Sequence, residues 1–269
     1  MTKITIKTLD EKSQKNERFA CVTAYDASFA KLVANAEIET LLVGDSLGNV
    51  IQGEETTVPV TLEEMAYHLS CVCKGLHGQQ HQPFLIADMP FMSYATSELA
   101  LESATVLMQS GAQMVKLEGG EWLLDSVHFL SQRGINVCGH LGLTPQTVDS
   151  LGGFRVQGRN AEQAEQLFNQ AKSLQQAGAR MLVLECVPSL LAKKITEALT
   201  IPVIGIGAGP YTNSQVLVLY DLLGMTMGKR PRFVKDFLTG NTQGIAGALK
   251  AFRDAVISGD YPQQEHCFE

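Results

Sequence analysis

Leu41-Leu42-Val43-Gly44-Asp45-Ser46, Phe84-Leu85-Ile86-Ala87-Asp88, Val115-Lys116-Leu117-Glu118 and Leu182-Val183-Leu184-Glu185 repeat one pattern: a short apolar run ending on an acid. Runs of this length read as strands buried on both faces, the habit of parallel sheets. In parallel α/β folds the C-terminal strand ends share one face, and ligands and chemistry gather there. Carboxylates crowded on such a face repel one another and lose hydration, so something must compensate them. A bound divalent cation is the simplest candidate.

Similar runs extend the pattern outward. Strands are expected at Phe19–Tyr25, Thr40–Ser46, Pro83–Pro90, Met114–Glu118, Asn136–Leu141, Met181–Val187, Pro202–Ile206 and Val216–Leu219, the number a closed barrel needs. The last also fits a helix. Between them, Ala164, Leu167, Phe168, Ala171 and Leu174 recur at helical spacing. Ser97–Ser110 behaves alike, with Thr96 as N-cap and Gly111 as stop. The expected fold is therefore α/β, a single (β/α)8 TIM barrel over residues 1–269, with a short N-terminal extension and a loose polar tail at Tyr261–Glu269. Gln109–Glu118 echoes Gln176–Glu185 at an offset of 67 residues, two βα units, which makes Glu118 and Glu185 equivalent strand ends. The glycine-bearing loop Thr147–Asn160 is long for a βα connection and reads as either a mobile lid or an ordinary surface excursion.

The totals narrow the function classes. The 269 residues are 45% hydrophobic, with 21 basic against 28 acidic residues and a net charge of −7, which argues against a nucleic-acid surface. No apolar run approaches the roughly 20 residues of a membrane span, and Met1–Lys7 lacks the apolar core of a signal peptide. The expected setting is cytoplasmic. The six cysteines, at 21, 71, 73, 138, 186 and 267, read as reduced thiols.

Asp45, Asp88 and Glu118 suit Mg²⁺, a hard ion that prefers oxygen ligands; the alternative is that some of these acids cap helices. Zinc is disfavoured, because no His or Cys pair has ligand spacing. Lys116 shares a strand face with Glu118, so it either holds an anionic substrate group or pairs with a structural acid. Ser46 hydrogen-bonds a substrate carboxylate or caps a helix. Glu185 is placed to act as an acid or base, since an apolar surround makes a carboxylate a stronger base. His140 is a strand-end residue set behind these groups. Gly205-Ile-Gly-Ala-Gly209 follows the seventh strand, where barrels bind phosphate, although its glycines equally serve tight packing.

Seven collinear blocks carry a resemblance: Thr23-Ala-Tyr-Asp26, Val43-Gly-Asp-Ser-Leu-Gly48, Ala87-Asp-Met-Pro-Phe91, Val115-Lys-Leu-Glu-Gly-Gly120, Gly139-His-Leu-Gly-Leu-Thr-Pro-Gln146, Leu184-Glu-Cys-Val-Pro188 and Pro202-Val-Ile-Gly-Ile-Gly-Ala-Gly209, with Pro231-Arg-Phe-Val-Lys235 beyond them. The chain resembles the ketopantoate hydroxymethyltransferase family, and departs from its pattern at Glu54-Glu55, where His-Asp is usual. The resemblance implies a (β/α)8 barrel, Mg²⁺, and transfer of a one-carbon unit from 5,10-methylenetetrahydrofolate to 3-methyl-2-oxobutanoate. It implies metal positions at Asp45, Asp88 and Glu118, and a 2-oxo-acid site at Asp45, Ser46, Asp88 and Lys116. Glu185 is then the proton acceptor that forms a metal-stabilised enolate. The small-molecule partners are the oxo acid and the reduced folate, and the assembly a homo-oligomer, a decamer by resemblance. The competing expectations are an Mg²⁺-dependent C–C lyase or mutase of the isocitrate lyase and phosphoenolpyruvate mutase type, and a non-catalytic carboxylate-binding protein.

Overall fold

The computed structural model describes residues 2–226 and 230–269. Eight parallel strands close into one barrel: β1 Phe19–Thr23, β2 Thr40–Val43, β3 Phe84–Asp88, β4 Met114–Glu118, β5 Val137–Gly142, β6 Met181–Glu185, β7 Val203–Ile206 and β8 Ser214–Leu217. Neighbours in sequence are neighbours in the barrel, and β8 closes on β1 with Ser214 opposite Phe19. Almost every strand residue is buried, because side chains fill the barrel inside and meet helices outside.

The helices are α1 Ile6–Gln14, α2 Ala27–Asn35, α3 Leu62–Leu76, α4 Ser97–Gln109, α5 Leu124–Ser131, α6 Ala161–Ala177, α7 Ser189–Ala198, α8 Leu219–Leu222 and α9 Gly244–Ser258. The sequence marks their starts. Asp26 caps α2 by accepting from the Ser28 and Phe29 amides, and Thr96 caps α4 through the Leu99 amide at 3.2 Å. Asn160 does the same for α6 at 2.8 Å. α1 belongs to the N-terminal extension. It is tied to the N-terminal end of the barrel by Asp10, 2.6 Å from Arg180 just before β6. Thr2–Lys3 pairs in parallel with His81–Gln82, just before β3.

Three expectations need correction. The eighth strand is Ser214–Leu217, two residues earlier than its hydrophobicity suggests. Its first residues, Ser214 and Gln215, are buried polar ones; Gln215 Nε2 donates to Gly209 O at 3.0 Å and to Thr212 Oγ1 at 2.8 Å. An apolar scan therefore starts too late. Next, no helix joins β7 to β8. Residues 207–213 return directly to the other end of the barrel, where Arg18, just before β1, donates to Pro210 O at 3.1 Å. No helix N-terminus, which would add its dipole to a phosphate site, follows β7. The glycines serve packing instead: Gly207 has φ +61, and a Cβ on it would meet Phe233 at 2.7 Å and Phe268 at 3.1 Å.

The third correction concerns the tail, which is packed. Tyr261, His266 and Cys267 are buried. Phe268 O accepts from the Ser189 amide at 3.0 Å and from Ser189 Oγ at 3.2 Å, which satisfies the otherwise uncapped N-terminus of α7. The loop over residues 147–160 is anchored by the Gln157 amide on Cys186 O at 2.9 Å and carries Phe154 at its tip, 78% exposed. All six cysteines are free thiols.

Candidate active site

The strand-end acids meet at the C-terminal mouth of the barrel. β4 presents Lys116 and Glu118 on one face because successive side chains alternate. The neighbouring strands bring up the rest: Asp88 lies opposite Lys116 in the β3–β4 ladder, and His140 opposite Glu118 in the β4–β5 ladder. Asp45 and Ser46 sit in the turn after β2. Asp45, Asp88, Lys116, Glu118 and His140 are all buried. Glu185, on β6, stands nearer the rim with 12% of its side chain exposed.

Lys116 is the hub. Its Nζ lies 3.2 Å from Asp88 Oδ1 and 3.1 Å from Glu118 Oε1. Burial opposes its charge, but Asp88, Glu118 and Asp45 together hold its pKa well above the ordinary value. Glu118 shows the reciprocal effect. Burial pushes it up, yet Lys116 and His140 bring its pKa down to about 2. His140 Nδ1 is 3.1 Å from Glu118 Oε1, and its Nε2 is 3.3 Å from Glu185 Oε2. Nε2 is not aligned for a hydrogen bond, so its tie to Glu185 is one of charge. Burial and Lys116 push the His140 pKa down, but Glu118 outweighs them and lifts it to about 9. His140 Nδ1 also lies 3.2 Å from Lys116 Nζ, so the imidazole and the ammonium converge on the same Glu118 oxygen.

Asp45 and Asp88 remain under-compensated. Burial, then each other's charge and that of Glu118, pushes the Asp45 carboxyl well above its usual range. Asp88 is also raised, chiefly by burial. The Asp45 amide donates to Asp88 Oδ2 at 3.1 Å, while Asp88 Oδ1, although beside Lys116, has no aligned hydrogen bond. Gly44 leaves this corner open, since a Cβ there would lie 3.0 Å from Ser46 Oγ and 3.3 Å from Asp88 Oδ2. A buried, under-satisfied pair of oxygen donors beside an open corner fits a hard divalent cation. The three expected ligands do not form a ready three-carboxylate cage. Among the described residues no group of three His, Cys, Asp or Glu does. Lys116 stands between Asp88 and Glu118.

Several residues of the site escaped the sequence reading. Tyr25 OH donates to Thr23 Oγ1 at 2.7 Å and lies 2.9 Å from Ser46 Oγ, fixing the serine the reading did find. Gln146 reaches in from the loop after β5. Its Nε2 donates to Asp45 Oδ2 and to Met89 O, each at 2.8 Å. Its amide donates to Glu118 Oε2 at 3.1 Å, and Tyr94 OH donates to its Oε1. Tyr25 and Gln146 each fall within a quoted block, but neither carries a charge, so only the folded contacts reveal them.

No helix among the described residues is long and apolar enough to cross a membrane. The family model described as ketopantoate hydroxymethyltransferase matches residues 3–264. The 3-methyl-2-oxobutanoate hydroxymethyltransferase of Shewanella amazonensis is 54% identical over 268 residues, covering 100% of both chains. Among solved structures, a phosphonopyruvate hydrolase complex with oxalate and Mg²⁺ superposes with a TM-score of 0.61 at 10% identity, over 81% of each chain. A 2,3-dimethylmalate lyase of the phosphoenolpyruvate mutase/isocitrate lyase superfamily gives 0.58 at 15%, over 81% of this chain and 82% of that one. At such identity the two structures share the fold alone. The family model and the full-length relative say more: the chain belongs to the ketopantoate hydroxymethyltransferase family.

Proposed function

We propose that this hydroxymethyltransferase converts 3-methyl-2-oxobutanoate to 2-dehydropantoate, taking the one-carbon unit from 5,10-methylenetetrahydrofolate. The observation that carries the reading is the split between a buried charged floor and a carboxylate at the rim. Asp45, Asp88 and Lys116 form the floor with half-buried Ser46 beside them, and Glu185 stands above it, 3.3 Å from His140. A small 2-oxo acid seated on the floor places its C3–H toward the rim.

Mg²⁺ fits the Asp45–Asp88 corner, with Glu118 behind Lys116, and when bound supplies Lewis acidity to the 2-oxo group. Lys116 and Ser46 then hold the substrate carboxylate, which orients the reacting carbon. Glu185 takes the C3 proton. One C–N bond of the folate-borne methylene opens to an iminium, and the carbon nucleophile so formed attacks it with formation of the C–C bond. The second C–N bond then breaks as water supplies the hydroxyl oxygen, and the protons from C3 and from water end on the two folate nitrogens. The products are 2-dehydropantoate and tetrahydrofolate. The same family membership supports a cytoplasmic homo-oligomer that uses small-molecule partners alone.

The test is deuterium exchange at C3 of 3-methyl-2-oxobutanoate in D₂O, with Mg²⁺ and without folate. Glu185→Gln is expected to slow exchange by roughly 10²–10⁴-fold, the usual share of a general base, while oxo-acid binding persists. Exchange at the intact rate in that variant would remove Glu185 from the reaction.

A further inference from the structure

We propose that Gln146 is a positioning residue that sets the Asp45 carboxylate for its ligand and couples it to Glu118. The proposal rests on the cation and oxo-acid reading of the site. Gln146 is 3% exposed, and both its side-chain donors, its side-chain oxygen and its backbone N–H find partners inside the site. Both side-chain N–H groups are committed, one to Asp45 Oδ2 and one to Met89 O, each at 2.8 Å. Its Oε1 accepts from Tyr94 OH. Its backbone N–H donates to Glu118 Oε2 at 3.1 Å.

These contacts decide the orientation of the amide. The Met89 carbonyl only accepts, so the nitrogen must face it, and the tyrosine hydroxyl then supplies the oxygen's donor. One residue thus joins the turn after β2, the end of β3 and the end of β4. It engages Oδ2 of Asp45 and leaves Oδ1 for a ligand. It also offsets part of the repulsion between Asp45, Asp88 and Glu118 with a neutral donor, where a second lysine would repel an incoming cation. Tyr94 completes the support from behind. It is buried and stacks on Trp122, the ring centroids 5.7 Å apart and the planes 15° apart. Partners that orient ligating carboxylates typically govern metal affinity or activity by roughly 10–100-fold.

The experiment measures Mn²⁺ binding by electron paramagnetic resonance, with and without 3-methyl-2-oxobutanoate, on the full chain and on Gln146→Met and Tyr94→Phe. Gln146→Met keeps the side-chain length and removes the donors. It is expected to weaken Mn²⁺ binding by roughly 10–100-fold, with the KM for the oxo acid rising more than kcat falls. Tyr94→Phe leaves both donors and frees the amide to turn, so a smaller loss in the same direction is expected. Thermal unfolding of each variant without metal separates positioning from general destabilisation. Gln146→Met binding Mn²⁺ within about twofold of the intact protein overturns the proposal, as does a weakening no greater than that of an equally destabilised core variant such as Leu143→Ala. If the intact protein binds no Mn²⁺ even with the oxo acid, the underlying site reading fails instead.

Discussion

Lys116 shows how a strand-end pattern becomes chemistry. An ammonium among three carboxylates replaces lost hydration with close charge, and its own pKa rises despite burial. Removing one partner of a buried ion pair strands the others and costs about 3–5 kcal/mol. Lys116→Met is therefore expected to lower stability by about that much in urea unfolding without metal, and by less with Mg²⁺ present, since a cation takes over part of the compensation. A loss under about 1 kcal/mol would show that the carboxylates are not ionised together around Lys116. The acids and the lysine were legible in the sequence because ionisable groups are rare inside apolar runs. His140 was legible only as a strand end. Its position between Glu118 and Glu185 depends on barrel register, which places it opposite Glu118 while Glu185 sits opposite Gly142.

At the element scale, local chemistry was readable where it is self-contained. β4 appears at Met114–Glu118 as the apolar run indicates, and the echo at 176–185 produced β6 with Glu185 in the matching place. Strand ends at Val43, Asp88 and Glu185 fall earlier than expected, because the apolar runs continue into turns that carry the site. β8 was misplaced for the converse reason, its buried polar start. α3 offers a clean test of the local rules. Thr61 and Glu64 form a reciprocal capping box: the Glu64 amide donates to Thr61 Oγ1 at 3.2 Å, and the Thr61 amide donates to Glu64 Oε2 at 2.8 Å. Those bonds, the backbone one first, lower the Glu64 pKa below its ordinary value. A carboxyl whose folded pKa is depressed stabilises the fold above its unfolded pKa and loses that contribution as pH falls through the folded value. The stability gap between the intact protein and Glu64→Ala is thus expected to be widest near pH 7 and to close toward pH 3. A gap independent of pH in denaturant titrations would refute the ionised cap.

For the whole molecule, the instructive feature is closure across distant sequence. The barrel returns from β7 to β8 without a helix, so the outer wall between those two strands lacks one helical layer. The C-terminal segment instead packs at the turns that follow β6 and β7. Tyr261 OH donates to Phe233 O, and Arg232 Nε donates to Glu265 O at 2.9 Å. Phe233 and Phe268 pack over Gly207, and Phe268 O caps α7 immediately after the Glu185–Ser189 turn. A polar composition reads as a loose end, yet backbone carbonyls and three well-placed rings hold the segment, and composition does not register either. Deleting residues 266–269 removes a helix cap worth about 1 kcal/mol together with part of the roughly 1.5–3 kcal/mol that burying a large side chain contributes. The expected loss is about 2–4 kcal/mol in all, or roughly 5–15 °C in Tm for a chain of this size. Because the capped turn carries Glu185, C3 exchange is expected to fall more steeply than Mn²⁺ binding, whose proposed ligands lie after β2 and at the ends of β3 and β4. A truncated protein that melts within about 1 °C of the intact one and exchanges at the same rate would show that the tail merely rests on the barrel. A loss of exchange with metal binding preserved would establish the tail as the support of the rim carboxylate.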